Sequence, residues 1–536
     1  MSRMKTRKWI SFIAVLTAIL MMIACTSSET TDNASTESSA ETTAEAAEGA
    51  ADAGEELTLG GPDAGEMPGE PPEGMPGEPP EGMPGEPPEG MPGEPPEGMP
   101  GEPPEGMPGE PPSGGPGQPP SGMPGGPEGS ASDISYSGAV EISGADTQEN
   151  GTYASTTADE SALLIATDES VAIENATVTK SGDSDGGDNC NFYGLNAAVL
   201  VKDGANVTIS GGTIETAASG ANGVFAYGGN GGQNGASGDG TTVTITDTVI
   251  TTTGSGSGGI MTTGGGVTYA NNLTVTTSGQ SSAAIRTDRG GGTVYVDGGT
   301  YTSNGLGSPA IYSTAEIHVA NATLVSNLSE GVCIEGKNSI ELTDCNLTAN
   351  NTKCNGNATF LDTIMIYQSM SGDADSGTSA FTMTRGTLTS KSGHIFHVTN
   401  TNAIITLTDV TLVNEDAENI LLSVCADGWS GASNIATLNA IKQSLSGTIL
   451  VGSDSELSLV LMDGSSFTGT ISGSITNAKG AAVSSSVGTV YVTLDPTSTW
   501  TLTADTYITS FDGDASNIIS NGYTLYVNGE ALTGTN

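Results

Sequence analysis

The chain is 536 residues long and carries 62 acidic against 14 basic side chains, a formal net charge of −48. A surface of that sign repels nucleic acid and anionic lipid faces, and favours divalent cations or neutral, polyhydroxylated partners. With 77 glycines, 4% aromatic residues and no amphipathic helical stretch, the composition points to an all-β protein.

Residues 1–24 are a targeting segment. Arg3, Lys5, Arg7 and Lys8 give it a positive start, and Ile10 to Ile23 is almost wholly apolar but short for a membrane span. Met22-Ile23-Ala24-Cys25 resembles the lipobox of bacterial lipoproteins, with Met22 where leucine is usual. The resemblance implies that Cys25 is the lipidated first residue of the mature chain. An ordinary signal peptide with an incidental cysteine is the plainer alternative.

Residues 25–61 are Ser, Thr, Ala and Glu with few large apolar side chains, and nothing there repays the entropy of ordering. This predicts a disordered acidic tether. Over 62–129 an octapeptide, E-P-P-E-G-M-P-G, recurs with methionines at Met67, Met75, Met83, Met91, Met99 and Met107. Paired prolines favour polyproline II and glycines soften it, so this predicts a disordered Pro/Gly-rich stalk reaching on the order of 190 Å when extended. The stalk suits a spacer that lifts a distal domain off the membrane.

From residue 133 a different pattern begins. An inward apolar residue is followed seven positions later by another, as in Val171/Val178, Val207/Ile214, Val243/Ile250, Val294/Tyr301, Ile317/Leu324, Ile340/Leu347, Phe381/Leu388, Ile405/Leu412, Leu438/Leu445 and Val460/Phe467, with Thr268/Val275 a weaker copy. At offset four stand Asn175, Gly211, Asp247, Asn272, Gly298, Asn321, Asp344, Arg385, Asp409, Lys442 and Gly464. Most are the residue types that enter the left-handed region at least cost. Each copy therefore reads as strand, sharp bend, strand. Copies return every 23 to 26 residues between Val275 and Leu347, and longer intervals hold glycine-rich inserts. Such a period, built of short strands alone, means a solenoid whose coils stack at roughly 4.8 Å.

A further strand precedes most copies, in segments starting at Ala197, Gly223, Gly259, Ala284, Ala310, Gly331, Ile364 and His394. Three short strands per coil resemble the right-handed, pectate-lyase-like parallel β-helix of secreted bacterial surface proteins. The expected architecture is that β-helix over 133–489, followed by a C-terminal coil and cap over 490–536 that includes Trp500, Tyr507, Phe511, Tyr523 and Tyr526. The resemblance includes polysaccharide-binding and adhesin-like members and implies a similar role here.

The densest charge cluster is Arg286, Asp288 and Arg289, followed by three glycines. The coil register places Tyr312, then Glu335 and Lys337, on the neighbouring rungs, so these six residues form the candidate binding site. Arginines flanked by acids suit an anionic or extended glycan; a ladder of ion pairs between rungs accounts for the same residues. Polysaccharide lyases of the fold resemble one another in using Arg or Lys as base beside calcium-holding carboxylates, and the sequence offers no compact Asp/Glu cluster beside these arginines. No catalytic residue is assigned. Asp183, Asp185 and Asp188 resemble a calcium-loop fragment, as do Asp373 and Asp375, oxygen ligands around a turn being what a hard cation takes. Thr-x-Thr columns at offsets six and eight face outward. They resemble ice-binding solenoids, stack well as ordinary strand residues, and present a hydroxyl-rich face for glycan chains. His394 and His397, three apart in a strand, are expected on opposite faces. Cys345 and Cys354 are near enough to bridge, or stay as buried thiols.

The sequence thus predicts a lipid-anchored protein on the extracellular face of the cell membrane that binds a polysaccharide or other surface glycan, with Ca2+ as a candidate ion, no nucleic acid, and membrane contact through the anchor alone. A surface-anchored calcium-dependent lyase of uronate-containing glycans is the alternative.

Overall fold

The computed structural model describes residues 134–184, 186–231 and 237–536. The targeting segment, Cys25, the tether and the stalk lie outside the described residues, as does Asp185. The described chain is a parallel β-helix. One strand per coil builds a 15-stranded back sheet, and the two strands of each repeat build a 20-stranded bent sheet.

The bend lies where the repeat demands it. All eleven offset-four residues have φ between 51° and 79°, Arg385 and Lys442 included. Each reverses the pleat once, so the strand before it (for instance Asn206–Ser210) and the strand after it (Thr213–Thr216) both keep an apolar residue inward. Stacked bends satisfy one another's side chains. Asn272 donates to Asp247 Oδ1 at 2.6 Å, Asn321 to Asp297 Oδ1 at 2.7 Å, and Arg385 grips Asp344 through Nε and Nη2 at 2.6 and 2.5 Å.

Inward columns run without a break. In the bent sheet, Val171, Val207, Val243, Thr268, Val294, Ile317, Ile340, Phe381, Ile405 and Leu438 are register partners in turn. Thr268 is the one polar member, and its hydroxyl pairs with Thr262 Oγ1 at 2.7 Å. In the back sheet the column passes through Leu163, Val199, Val224, Ile260, Ile285, Ile311, Val332 and Ile364. Each such side chain contributes about 1.5–3 kcal/mol by leaving water, which a single coil with two open faces cannot collect.

The last copy departs from the predicted spacing. Leu438 pairs with Leu459, not Val460, and Leu459 is buried while Val460 is half-buried on the outer side. The bend there takes Asp463 and Gly464, both left-handed, followed by the buried Ser465, and the inward residues Leu459 and Phe467 stand eight apart. Beyond it, Thr489–Leu494 and Thr499–Leu502 add further rungs, and Trp500 is wholly buried against Phe467 at 5.6 Å between ring centroids. A three-stranded sheet of Thr506–Ile508, Leu525–Val527 and Glu530–Ala531 follows.

Inserts gather over the outer face of the back sheet. A short helix, Asp188–Phe192, brings Phe192 and Tyr193 over Leu164, Leu200, Phe225 and Met261. Farther along, Phe360 and the hairpin of Ser474–Thr476 and Ala482–Ser485 close over Ile420, Cys425 and Leu450. Between these apolar covers the outer row becomes Arg286, Tyr312, Cys333 and Met365.

Candidate functional site

The stacking brings the six predicted residues into one region, five of them in contact. Arg286 and Tyr312 are register partners, with the guanidinium 5.4 Å from the ring centre. Arg286 Nη2 lies 2.6 Å from Asp288 Oδ2, and its Nη1 reaches Asn191 Oδ1 and the Ser281 carbonyl. Arg289 donates its backbone N–H to Asp288, stacks over Phe192 at 4.3 Å, and forms a 2.6 Å ion pair with Asp373. Glu335 accepts from the hydroxyls of Tyr312 at 2.6 Å and Tyr367 at 3.0 Å, and from Ser369. Lys337 sits at the edge, its ammonium 2.6 Å from Asp375.

Burial governs the charges. It pushes the Asp288 carboxyl up to about 6 despite the pull of Arg286, and the neighbouring Asp373 carboxylate pushes the same way. For Arg286, burial favours loss of the proton, yet Asp288 and Tyr312 hold it more firmly charged than free arginine. Tyr312 and Tyr367 are half-buried beside Glu335, and desolvation together with that carboxylate raises their hydroxyls well above the ordinary value. They act as donors, and Glu335 is their common acceptor.

The sequence reading missed half of these partners. Asp373, Asp375, Ser369, Ser371 and Tyr367 come from the interval that carries the longest insert between repeats, and nothing local marks them as partners of residues 32 to 84 positions earlier. Asp373 and Asp375, grouped above as a calcium-like pair, are each bound to a different cation, Arg289 and Lys337. Of the proposed calcium-loop fragment, Asp183 accepts from Ser219 N at 2.8 Å, and Asp188 is exposed in the first turn of the helix. Among the described residues no group of three or more His, Cys, Asp or Glu side chains is arranged around a common metal position.

The glycines after Arg289 shape an open trough. It holds about 430 Å³ and is lined by Ser237, Gly238, Gly265, Gly291, Gly292, Thr293, Ala315, Glu316, Lys337, Asn338 and Ser339. Gly265, Gly291 and Gly292 have φ of 82°, 73° and 143°, and a Cβ on Gly265 would sit 2.4 Å from Gly238 N. Close coil-to-coil approach thus dictates glycine, and the consequence is a corner with bare backbone for a wall. Thr293, Glu316 and Ser339 are register partners on successive coils, so the trough runs along the stacking axis.

A second groove, about 540 Å³, lies on the bent sheet beside Tyr269, Tyr295 and His318. These rings stack at 5.1 and 5.0 Å with 10° between planes. Both faces of Tyr295 are spent on its neighbours, so the stack offers ring edges rather than a platform for a sugar. His318 is held by Glu316 at 2.9 Å and Glu341 at 3.0 Å, one on each ring nitrogen.

One expectation fails, and one open alternative is decided. His394 and His397 do not diverge: Ile395 and Phe396 between them both enter the core, which breaks the alternation, and both Nδ1 atoms meet the hydroxyl of Ser423. Cys345 and Cys354 are both free; Cys345 is deep in the core, bonded to the Val319 carbonyl, while Cys354 approaches the Phe360 carbonyl. No family model, curated protein or solved structure matches the chain.

Proposed function

We propose that the chain is a cell-surface glycan-binding β-helix, held out by its stalk from a lipid anchor at Cys25, and that it takes an extended neutral polysaccharide in the glycine-walled trough. The trough itself carries the proposal. It follows the stacking axis over consecutive coils, on the order of 15 Å at 4.8 Å per coil. Its lining offers donors and acceptors: backbone of Gly291 and Gly292, hydroxyls of Thr293 and Ser339, and the carboxylate of Glu316. A polyol needs both kinds of partner at close intervals. Lys337 is already neutralised by Asp375, and the chain's net charge of −48 disfavours a polyanion. Calcium would join such a site through Glu316 and sugar hydroxyls, so binding is to be measured with and without it.

The lyase alternative draws less support. It asks Arg286 or Arg289 to give up a proton, whereas both guanidinium groups are bound to carboxylates.

A glycan array with the full chain, with and without Ca2+, followed by calorimetry on the best ligand, tests the proposal. Ser339→Val and Thr293→Val, outward substitutions that strands tolerate, should weaken binding at least fivefold without moving the urea midpoint. Unchanged affinity in both variants removes the trough from consideration. Growth of ultraviolet absorbance on incubation with polygalacturonate would favour the lyase instead.

A further inference from the structure

A second polar cluster lies under the Phe360 cover, away from the trough. Ser423 projects from the outer face of the strand Ile420–Val424, one coil beyond His397 and in register with it. Its hydroxyl lies 2.8 Å from His397 Nδ1 and 2.7 Å from His394 Nδ1. The other nitrogen of His397, Nε2, faces Asp427 Oδ2 at 3.4 Å, and neither of these atoms has a hydrogen-bond partner. Asp427 is oriented through its other oxygen, which accepts from the N–H and hydroxyl of Thr359. Ser423 and the side chains of His397 and Asp427 are fully buried.

The order of donors follows from these contacts. A hydroxyl has one proton, so between two Nδ1 atoms it donates to one and accepts from the other. Asp427 draws the proton of His397 to Nε2, which leaves His397 Nδ1 bare to accept from Ser423, while His394 Nδ1–H donates to Ser423 Oγ. That is a carboxylate, a base and a hydroxyl nucleophile in sequence, with His394 as an additional donor that fixes the position of the hydroxyl.

We propose that Ser423 is a catalytic nucleophile, with His397 as its base and Asp427 and His394 as positioning residues, and that it cleaves esters of short uncharged acyl groups. Phe360 stacks on His397 at 4.7 Å and occupies the place of the acyl group. Around it stand Cys425, Leu450 and Ile475, an apolar setting suited to a short acyl chain. Phe360 belongs to a strandless segment whose neighbouring Thr359 holds Asp427, so entry requires the Phe360 ring to turn aside while the backbone stays in place. In the reaction, Ser423 Oγ bonds to the acyl carbon as its proton passes to His397 Nδ1. The ester C–O bond then breaks, and the leaving alkoxide takes that proton to depart as an alcohol. Water, giving a proton to the same nitrogen, attacks the acyl–serine; the carboxylic acid leaves and Oγ–H is restored.

The full chain treated with a fluorophosphonate, followed by peptide mass spectrometry, tests this. The expected result is an adduct on Ser423, formed faster in Phe360→Ala, lost in Ser423→Ala, and slowed at least a hundredfold in His397→Gln within the Phe360→Ala background. Asp427→Asn should shift the pH profile of the labelling rate, which a purely structural carboxylate would not. p-Nitrophenyl acetate hydrolysis should follow the same order. If Ser423 stays unlabelled in both the wild-type chain and folded Phe360→Ala, by near-ultraviolet circular dichroism, the proposal is overturned and the cluster is a buried strut.

Discussion

Two buried titratable groups give opposite pH signatures, and their opposition is a sharp test of the packing. His394 is enclosed by Phe360 and bonded to Ser423, with His397 and Asp416 as its charged or titratable neighbours; burial, reinforced by His397, lowers it to about 3. The unfolded chain binds that proton near pH 6.5, so the stability His394 supplies is complete above 6.5 and drains away as pH falls toward 3. Between pH 6 and 4 the loss amounts to about 2.5 kcal/mol at 1.36 kcal/mol per proton and pH unit. Asp288 behaves in reverse. Raised to about 6, it binds a proton in the folded state before the unfolded chain does, so its buried charge is relieved on acidification, a gain of about 2 kcal/mol over the same range. The two nearly cancel in the wild-type chain. His394→Asn, which keeps a donor for Ser423, should therefore gain on acidification relative to wild type by about 2.5 kcal/mol from pH 6 to 4, and Asp288→Asn should lose by about 2 kcal/mol. Urea titrations at half-unit pH steps, followed by tryptophan fluorescence, measure both differences. A gap between His394→Asn and wild type that stays constant from pH 7 to 4 would refute the buried, neutral histidine on which the argument rests.

Further outcomes follow from particular contacts. Lys442→Gly, at φ 52°, should stabilise by about 1 kcal/mol by relieving left-handed strain, whereas Arg385→Gly, at φ 58°, should be near neutral because the grip on Asp344 is lost with the strain; urea midpoints distinguish them. Leu459→Ala should cost about 3 kcal/mol and Val460→Ser less than about 0.5 kcal/mol, and equal costs would contradict the eight-residue spacing of the last copy. Asp373→Ala leaves the Arg289 guanidinium without its carboxylate and should raise amide exchange across 369–377 at least tenfold by hydrogen-exchange mass spectrometry, with exchange in the bent sheet unchanged.

The coil was legible because each of its requirements repeats. An inward residue, a left-handed bend and a second inward residue recur often enough that Arg385 and Lys442, poor choices by type, could be assigned their φ from position alone. The same regularity named the back-sheet strands and put Arg286 beside Tyr312. The failures fall where the period breaks. The Val460 error came from one additional residue between bend and strand, and the histidine error from assuming strict alternation where Ile395 and Phe396 both face inward. Asp373, Asp427 and Phe360 act across inserts of arbitrary length, and no spacing rule connects them to Arg289, His397 or Ser423.

That division has a physical origin. A solenoid buries its interior by repetition, and every inward position is occupied by the need to match the rung above and below. Inserts escape the constraint, since closing a longer loop costs little additional entropy and its residues answer only to the face they cover. Here that face is the outer side of the back sheet, where Phe192, Phe360 and Asp373 exclude water from Asp288, Glu335, His397 and Ser423. Exclusion is what turns ordinary outward side chains into perturbed ones: the same strand position that carries Leu200 under the helix carries Ser423 under Phe360. The chemistry of the molecule therefore depends on which insert covers which rung. Removing a cover should change reactivity beneath it while leaving the coil intact, which is why Phe360→Ala, more than any substitution in the repeat, separates a working site from packing.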